Sequence, residues 1–280
     1  RALVDPQRRH LHASVGHAIS DDLVAWTEQP DVLVADDDPS AFDHVAIWTG
    51  SIVRDPSNGW RLFYTGRAAT HPQERQRIGS AVSADLVTWH RDPAFAPLEA
   101  DPRWYEVWGD SSWGDEAWRD PWVFADPGGN GWHMLITARL RSGAVDDRGT
   151  LGHARSDDLV TWHVQPPLSA AAGFAQLEVP QLFELDGRWY VVFSCLTPEL
   201  RRDRRDRYPD AGMWIAPVES PLGPYDLTAA VPLSDATRYA GKVLTDRKGR
   251  PRLLAFANTP EGSFVGGISD PAPVDLPATP

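Results

Sequence analysis

The stretch LGHARSDDLVTWHVQP, residues 151–166, occurs in near copy at two earlier places in the chain. The copies are VGHAISDDLVAWTEQP at 15–30 and IGSAVSADLVTWHRDP at 78–93, and the first glycines of the three lie 63 and 73 residues apart. Self-similarity of this kind indicates a fold built from repeated units. Each copy predicts a strand, a tight Ser-x-Asp-Leu turn whose polar side chains cap backbone N–H groups, and a second strand that opens on tryptophan.

A second repeated unit lies between these copies. It consists of an apolar run, a Pro/Gly or Asp-Gly turn and a further apolar run, which is the pattern of a β-hairpin. Its four occurrences are WTGSIVRDPSNGWRLFYTG (48–66), RDPWVFADPGGNGWHMLITAR (119–139), LEVPQLFELDGRWYVVFSC (177–195) and YAGKVLTDRKGRPRLLAFA (239–257). No stretch shows a sustained period of 3.6 residues between caps, so we expect little helix.

Joining the two units produces four-stranded antiparallel sheets, the blades of a β-propeller. The sequence therefore predicts an all-β, five-bladed propeller that forms one domain over residues 1–280. Four blades are predicted at 48–92, 119–166, 177–228 and 239–275, and residues 10–30 supply only the outer half of the first blade. A β-sandwich is the main alternative, but it does not require repeats of one four-strand pattern.

Composition excludes several classes of function. The net charge of −12 is unsuited to neutralising phosphates, so no nucleic-acid partner is predicted. The arginine-rich stretch RRDRRDR (201–207) is diluted by aspartates and is interpreted as a solvated loop. No apolar run is long enough to span a membrane. Nine histidines without metal-ligand spacing, and the absence of a Gly-rich phosphate loop, predict neither a metal nor a cofactor.

The single cysteine, Cys195, cannot form an internal disulfide and is predicted to be buried and inert. It therefore implies no oxidising compartment and favours the cytoplasm over secretion. The chain begins at Arg1 without a methionine, so the sequence leaves the localisation open.

Candidate catalytic residues lie where the inner strands of three predicted blades begin. In a propeller these strands line the central channel, so Asp120, Glu178 and the segment 48–51 should converge on one pocket. Two carboxyl groups in an aromatic pocket are the groups needed to cleave a glycosidic bond. The alternative is that Asp120 only pairs with Arg119 and that Glu178 is an edge charge.

Four motifs in the same order resemble those of glycoside hydrolase family 32, the β-fructofuranosidases, and of its clan partner family 68. WRDPWVF is similar to the family's Arg-Asp-Pro motif, LEVPQLF to its Glu-Cys-Pro motif, and WTGSIV to its Phe-Ser-Gly-Ser segment. The fourth is VGHAISDDLVAW, which resembles a Trp-Gly-His-Ala stretch of the family.

The resemblance implies a role for each candidate. Asp120 would stabilise the transition state with Arg119 beside it, and Glu178 would be the general acid/base. Trp48 and Thr49 would contact the fructosyl unit.

The resemblance also implies a nucleophilic aspartate on the inner strand of blade one. That strand should begin 30 to 32 residues before Gly16, judging by the intervals from Thr49 to Gly79 and from Asp120 to Gly152. We therefore expect the chain to begin inside blade one, with the nucleophile before residue 1. Asp5 lies only 11 residues before Gly16, too few for two strands and a turn. The family's C-terminal β-sandwich is not expected.

The predicted function is retaining hydrolysis of a β-fructofuranoside of the sucrose or fructan type, with a small saccharide as the only predicted partner. Two alternatives remain at this stage. One is an inverting arabinofuranosidase or xylosidase similar to family 43, and the other is a propeller that binds sugar without catalysis. Hydrolysis and fructosyl transfer use the same residues, so the sequence does not separate them. It does not predict the oligomeric state either.

Overall fold

The computed structural model describes residues 9–57, 59–68, 75–109, 116–261, 263–274 and 276. Within them the chain forms four four-stranded antiparallel sheets and one two-stranded sheet. The two-stranded sheet is β1 (Val15–Ile19) and β2 (Thr27–Leu33). The first four-stranded sheet is β3 (Ala46–Asp55), β4 (Gly59–Ala68), β5 (Arg75–Ser83) and β6 (His90–Arg91). The second is β7 (Trp118–Ala125), β8 (Trp132–Arg139), β9 (Gly149–Ser156) and β10 (Trp162–Gln165).

The third sheet is β11 (Glu178–Leu185), β12 (Arg188–Ser194), β13 (Met213–Val218) and β14 (Val231–Ser234). The fourth contains β15 (Arg238–Thr245), β16 (Pro251–Asn258), β17 (Phe264–Ile268) and β18 (Ala272–Pro273). In this fourth sheet both β17 and β18 pair with β16. The last strand, β18, therefore does not pair with the strand before it, as the last strands of the other three sheets do.

In the part of the chain that the structure describes, the architecture is an all-β propeller with four four-stranded blades, not five. The predicted partial blade at 10–30 corresponds to the two-stranded sheet, because this copy of the repeat contributes two strands to the described residues. The outer strand of the third blade is Val231–Ser234, beyond the predicted limit of 228. Asp5 lies outside the described residues.

The three near-copied segments form the same turn. Asp22 Oδ1 accepts hydrogen bonds from the N–H groups of Val24 and Ala25, at 2.9 and 2.8 Å. Asp85 and Asp158 make the corresponding pairs of bonds in the other two copies. The leucine after each aspartate has a φ of 65°. The capping role predicted for these aspartates is confirmed, and they are part of the turn rather than of a site.

The described residues contain little helix, as predicted. Their two α-helical segments are short, and they are α1 (Arg9–His12) and α2 (Arg202–Arg207).

The prediction of a solvated loop at 201–207 is wrong for its central part. Arg204 packs its guanidinium over the rings of Phe174 and Trp214 and donates hydrogen bonds to the carbonyls of Ala172 and Ala230. Burial lowers the pKa of Arg204, and the aromatic faces and carbonyls replace part of the lost water.

Hydrophobic cores lie between neighbouring blades. The core between the first and second four-stranded sheets includes Phe63, Ile78 and the fully buried Trp118. Leu33 of the two-stranded sheet packs with Ile47 of the adjacent blade. This packing fixes the blades relative to one another and so positions the beginnings of their inner strands.

Candidate active site

A cavity of about 990 Å³ opens where the inner strands β3, β7, β11 and β15 begin. Its lining includes residues from all four blades and from the segment before β1. The charged or hydrogen-bonding side chains among them include His10, Trp48, Thr49, Tyr64, Arg119, Asp120, Gln176, Glu178, Glu199, Tyr239 and Asn258. The predicted convergence of segment 48–51 with Asp120 and Glu178 is therefore observed.

Each of the four inner strands has a register shift close to its beginning. The residues directly before the shift occupy equivalent places in their blades, and they are Trp48, Arg119, Glu178 and Tyr239. Asp120, Val179 and Ala240 follow three of them with φ between 51° and 57°. A β-bulge redirects side chains in this way, and left-handed backbone at non-glycine residues is costly unless the surroundings hold it.

Hydroxyl groups on the neighbouring second strands hold the bulges in place. The N–H of Asp120 donates to Thr65 Oγ1 at 2.8 Å, and the N–H of Ala240 donates to Ser194 Oγ at 2.9 Å. Both bonds run from one blade to the next. The strained backbone at the site is therefore a product of packing between blades.

Arg119 lies at the centre of the polar network. Its guanidinium donates to Glu178 Oε1 at 2.7 Å and also to Gln176 Oε1. Its Nε lies 3.6 Å from Asp120 Oδ2. The side chain of Arg119 is only 6% exposed, so its charge is almost removed from water and needs these partners. Arg119 thus connects the two predicted catalytic carboxyl groups instead of only pairing with its neighbour in sequence.

Asp120 is buried beside Arg119. Its Oδ2 accepts hydrogen bonds from Thr137 Oγ1 at 2.9 Å and from the N–H of Val179 at 3.1 Å. Burial raises the pKa of Asp120, while the positive charge of Arg119 opposes that shift. The carboxyl group is thus held in one orientation at the cavity wall.

Glu178 is held at both carboxyl oxygens. Arg119 occupies Oε1, and the phenol of Tyr239 donates a hydrogen bond to Oε2. Burial raises the pKa of Tyr239 well above its ordinary value, so the phenol keeps its proton and remains a donor. The side chain of Glu178 is 21% exposed, against 5% for Asp120, and Glu178 is the more accessible of the two.

Trp48 and Thr49 line the cavity from the first four-stranded blade. The indole of Trp48 donates to the carbonyl of His10 at 3.2 Å, and the guanidinium of Arg67 stacks over its ring at 4.7 Å. The carbonyl of Thr49 accepts a hydrogen bond from Thr65. An aromatic face beside carboxyl groups suits the binding of a sugar ring.

Sequence reasoning missed several polar residues of the cavity, and three of them, Gln176, Glu199 and Tyr239, belong to the hydrogen-bond network of Arg119 and Glu178. Tyr239 was detectable, because YAGKVLT aligns with RDPWVFA and EVPQLFE and places Tyr239 at the position of Arg119 and Glu178. Gln176 precedes Glu178 by two residues. Glu199 comes from a one-turn 3₁₀ segment (Thr197–Glu199) that no repeat unit contains.

Glu199 is a third carboxyl group in the cavity. Its Oε1 accepts a hydrogen bond from Gln176 Nε2 at 2.7 Å, so a side-chain chain runs from Glu199 through Gln176 and Arg119 to Glu178. Burial, followed by the negative charge of Glu178, raises the pKa of Glu199. The site therefore holds three carboxyl groups around one guanidinium.

The described residues contain no group of three or more His, Cys, Asp or Glu side chains arranged to hold a metal ion. They also contain no helix with the length and apolar character needed to cross a membrane.

The family of the chain follows from a comparison of its sequence with known families. Residues 6–264 match the description "Glycosyl hydrolases family 32 N-terminal domain". The chain belongs to glycosyl hydrolase family 32. The resemblance inferred from the four motifs is thereby confirmed.

Curated relatives of this family 32 chain include a sucrose-6-phosphate hydrolase of Bacillus subtilis (strain 168), 26% identical over 255 residues. That alignment covers 88% of the chain and 48% of the relative. The insoluble beta-fructofuranosidase isoenzyme CWINV6 of Arabidopsis thaliana is 28% identical over 172 residues, covering 60% of the chain and 28% of the relative. The chain thus spans about half, or less, of these relatives.

Solved structures share the fold of the family 32 chain. An inulosucrase from Halalkalicoccus jeotgali bound to kestose superposes with a TM-score of 0.68 at 22% identity, over 94% of the chain and 74% of the inulosucrase. A single-residue mutant of a beta-fructofuranosidase from Bombyx mori, in complex with sucrose, gives a TM-score of 0.60 at 21% identity, over 90% of the chain and 49% of that protein.

Proposed function

We propose that the chain forms the catalytic propeller of a retaining glycoside hydrolase that cleaves β-fructofuranosides. The observation that carries the proposal is the network around Arg119, which links Glu178 to Asp120 at the wall of one open cavity. Membership of family 32 supports the same reaction class. Sucrose and kestose, named with two structural relatives, are the first substrates to test.

In this proposal Glu178 is the general acid/base. It protonates the glycosidic oxygen as the bond to the leaving group breaks, and it later takes a proton from the water that releases fructose. Arg119 and Tyr239 fix both oxygens of Glu178, so the carboxyl group keeps one orientation through both steps. Orientation of this kind supplies part of the rate enhancement because the reacting groups need not search for each other.

Asp120 is proposed to stabilise the transition state. Its fixed carboxyl group lies in a buried setting, where a negative charge interacts more strongly with the positive charge that develops on the fructosyl ring. Trp48 and Thr49 are proposed to contact that ring. The nucleophilic aspartate expected from the family resemblance stays a prediction.

We also propose that the two-stranded sheet is the outer half of a fifth blade and that the described residues form one catalytic propeller. The hairpin Val15–Leu33 has the same capped turn as the hairpins that end the first and second four-stranded blades. It also packs against Ile47 and Leu62 of the adjacent blade.

The Glu178→Gln variant tests the acid/base role. Glutamine keeps the size of the side chain but does not supply the proton, so kcat for sucrose should fall by about 10²–10⁴-fold, the usual contribution of general acid–base catalysis. The melting temperature should change little. Glu184→Gln is the matched control, because Glu184 lies on the same strand and is exposed.

The same assays separate the remaining possibilities. Retention of configuration in the released fructose supports the double-displacement mechanism, and inversion would contradict it. Saccharide binding without turnover by the full chain would mean that the propeller is a binding module. Transfer to a second sugar, seen as longer oligosaccharides among the products, would identify a fructosyltransferase.

A further inference from the structure

Lysine is rare in this chain, and one of its lysines lies inside the propeller. Of the 27 lysines and arginines, only Lys242 and Lys248 are lysines. Lys248 is exposed in the turn between β15 and β16, whereas Lys242 lies on the inner strand β15 and is half-buried. An ammonium group held away from water is costly unless nearby groups compensate its charge. The surroundings of Lys242 therefore indicate what it does.

Lys242 lies one layer below the cavity, counted along the inner strands. The register shift of β15 ends at Lys242, and those of β7 and β11 end at Trp122 and Gln181. The three residues thus occupy equivalent places in their blades, and none of them is part of the cavity lining. They form a second layer directly behind the residues of the site.

The ammonium of Lys242 contacts both strands that carry the proposed catalytic carboxyl groups. Its Nζ donates to the carbonyl of Pro180 on β11 at 3.0 Å, and it lies 4.7 Å from the centre of the Trp122 ring on β7. Pro180 belongs to the bulge that follows Glu178, where the regular pairing with β12 is interrupted. Trp122 follows Asp120 by two residues. One cation therefore joins the bulge behind Glu178 to the strand of Asp120, through a hydrogen bond and a cation–π contact.

The charge of Lys242 also favours the ionised form of Asp120. Burial lowers the pKa of Lys242 to about 7, while the negative charge of Asp120 opposes that shift. The interaction is mutual, so a charged Lys242 opposes the rise that burial causes in the pKa of Asp120. The other titratable groups on β7, on β15 and on the strands packed against β15 are Arg119, Glu178, Glu184, Arg188, Tyr190, Arg238, Tyr239 and Arg252.

We propose that Lys242 is a positioning residue whose ammonium holds the bulge behind Glu178 and supplies a positive charge beneath Asp120. It acts on the reaction through these two residues and does not touch the substrate. The assignment rests on the proposed fructosidase function and adds to it a group outside the cavity lining. A purely structural role would require only that the side chain packs against Trp122.

Lys242→Met and Lys242→Arg test the assignment by kinetics. Methionine keeps the volume over Trp122 but removes the hydrogen bond and the charge, whereas arginine keeps both. In Lys242→Met kcat for sucrose should fall by about ten- to a hundredfold, because the acid/base loses its alignment. KM should change by less than about threefold. The acid limb of the pH profile of kcat should move to higher pH, because Asp120 loses a neighbouring positive charge.

Lys242→Arg should return the acid limb to its wild-type position. Lys248→Met is the matched control, because Lys248 is exposed on the same blade, and its kinetics should equal those of the wild type. Loss of kcat in Lys242→Met without movement of the acid limb would mean that Lys242 is only structural. Wild-type kinetics in Lys242→Met would overturn the assignment altogether.

The scarcity of lysine permits a second measurement that needs no substrate. In a Lys248→Arg chain labelled with isotopically enriched lysine, the one lysine signal in the NMR spectrum is that of Lys242. It should titrate at about 7, and introducing Asp120→Asn should lower its pKa further, because the opposing negative charge is lost. Titration at the ordinary 10.5, or a pKa that Asp120→Asn leaves unchanged, would overturn the assignment.

The two measurements distinguish failure of this assignment from failure of the proposed function. Melting temperatures verify that the variants fold, and the NMR titration, in which Lys242 stays in place, decides if Lys242→Met does not. If the wild-type chain hydrolyses no fructoside while the pKa of Lys242 responds to Asp120→Asn, the fructosidase proposal fails and the electrostatic pair of Lys242 and Asp120 stands.

Discussion

At the scale of single residues, a small set of polar side chains around Arg119 forms the proposed catalytic site. One guanidinium contacts Glu178 and Gln176 directly and lies 3.6 Å from Asp120. Each carboxyl group is thus held close to a positive charge, and further donors fix its orientation. A change of one side chain should consequently disturb catalysis more than folding.

The Asp120→Asn variant should lose most of its activity. The amide keeps the shape of the side chain but removes the negative charge that faces the developing positive charge, so kcat should fall by about 10²–10³-fold, as for loss of an electrostatic stabiliser. KM for sucrose should change less. Steady-state kinetics on sucrose measure both, and Asp157→Asn, an exposed aspartate of the same blade, is the control. Unchanged kcat in Asp120→Asn would reduce the Arg119–Asp120 pair to a structural one.

At the scale of elements, β8 and β9 of the second four-stranded blade carry a stacked pair of histidines. The rings of His133 and His153 lie 5.1 Å apart, with His133 Nδ1 and His153 Nε2 at 2.9 Å. His133 Nε2 also contacts Asp126 Oδ2. Burial, followed by the charge of His133, lowers the pKa of His153 to about 4. These contacts lie within one blade, which indicates a structural role for His153.

The lowered pKa makes stability depend on pH in a defined window. In the unfolded chain His153 has its ordinary pKa of 6.5, so it binds a proton once the pH is below that value. In the folded chain the lowered pKa keeps His153 neutral until the pH approaches about 4. Stability should thus fall as the pH drops from about 6.5 to about 4. Melting temperatures across this range should decline less steeply in His153→Gln than in the wild type. The pKa of Asp126 is lowered chiefly by its hydrogen bond with His133. The contribution of Asp126 to folding stability is therefore lost only at lower pH, below 3.8.

His163→Gln is the matched control, because His163 lies on β10 of the same blade and is exposed. Its melting temperature should follow the wild-type curve. A His153→Gln curve parallel to that of the wild type would contradict the assignment of this pH dependence to His153.

At the scale of the whole molecule, side-chain bonds between blades hold the inner strands in register around the cavity. The fully buried Ser194 accepts a hydrogen bond from the N–H of Ala240 in the next blade. Ser51 accepts one from Val123, and Gln181 both accepts from and donates to the backbone of Val243. The bond from Ala240 also secures a left-handed residue at the site.

The Ser194→Ala variant tests one of these bonds. It removes the side-chain acceptor of the partly buried N–H of Ala240, which costs about 1–3 kcal/mol in the free energy of unfolding. The melting temperature should fall by about 2–4 °C per kcal/mol for a chain of this size. Calorimetry measures the change, and Ser263→Ala, at an exposed serine, should leave it unaffected. An unchanged melting temperature in Ser194→Ala would show that the bond contributes nothing to stability.

The sequence alone predicted the repeat, the capped turns, the antiparallel hairpins and the family. These properties depend on local chemistry: the Ser-x-Asp-Leu turn caps its own backbone, and alternating apolar runs form hairpins wherever they occur. The position of Asp120 and Glu178 also followed, because both begin equivalent strands of a repeated unit. The burial of Arg204 did not follow.

The tertiary structure decided which polar groups meet. Glu199 and Gln176 join Arg119 through loops that carry no repeat, and the guanidinium of Arg204 packs over the aromatic rings of residues 174 and 214. Contacts of this kind join residues distant in sequence, and their energy exists only after the blades have closed around the cavity. Local sequence patterns determine turns and strands, whereas the set of charged side chains that meet in the site depends on the assembled propeller.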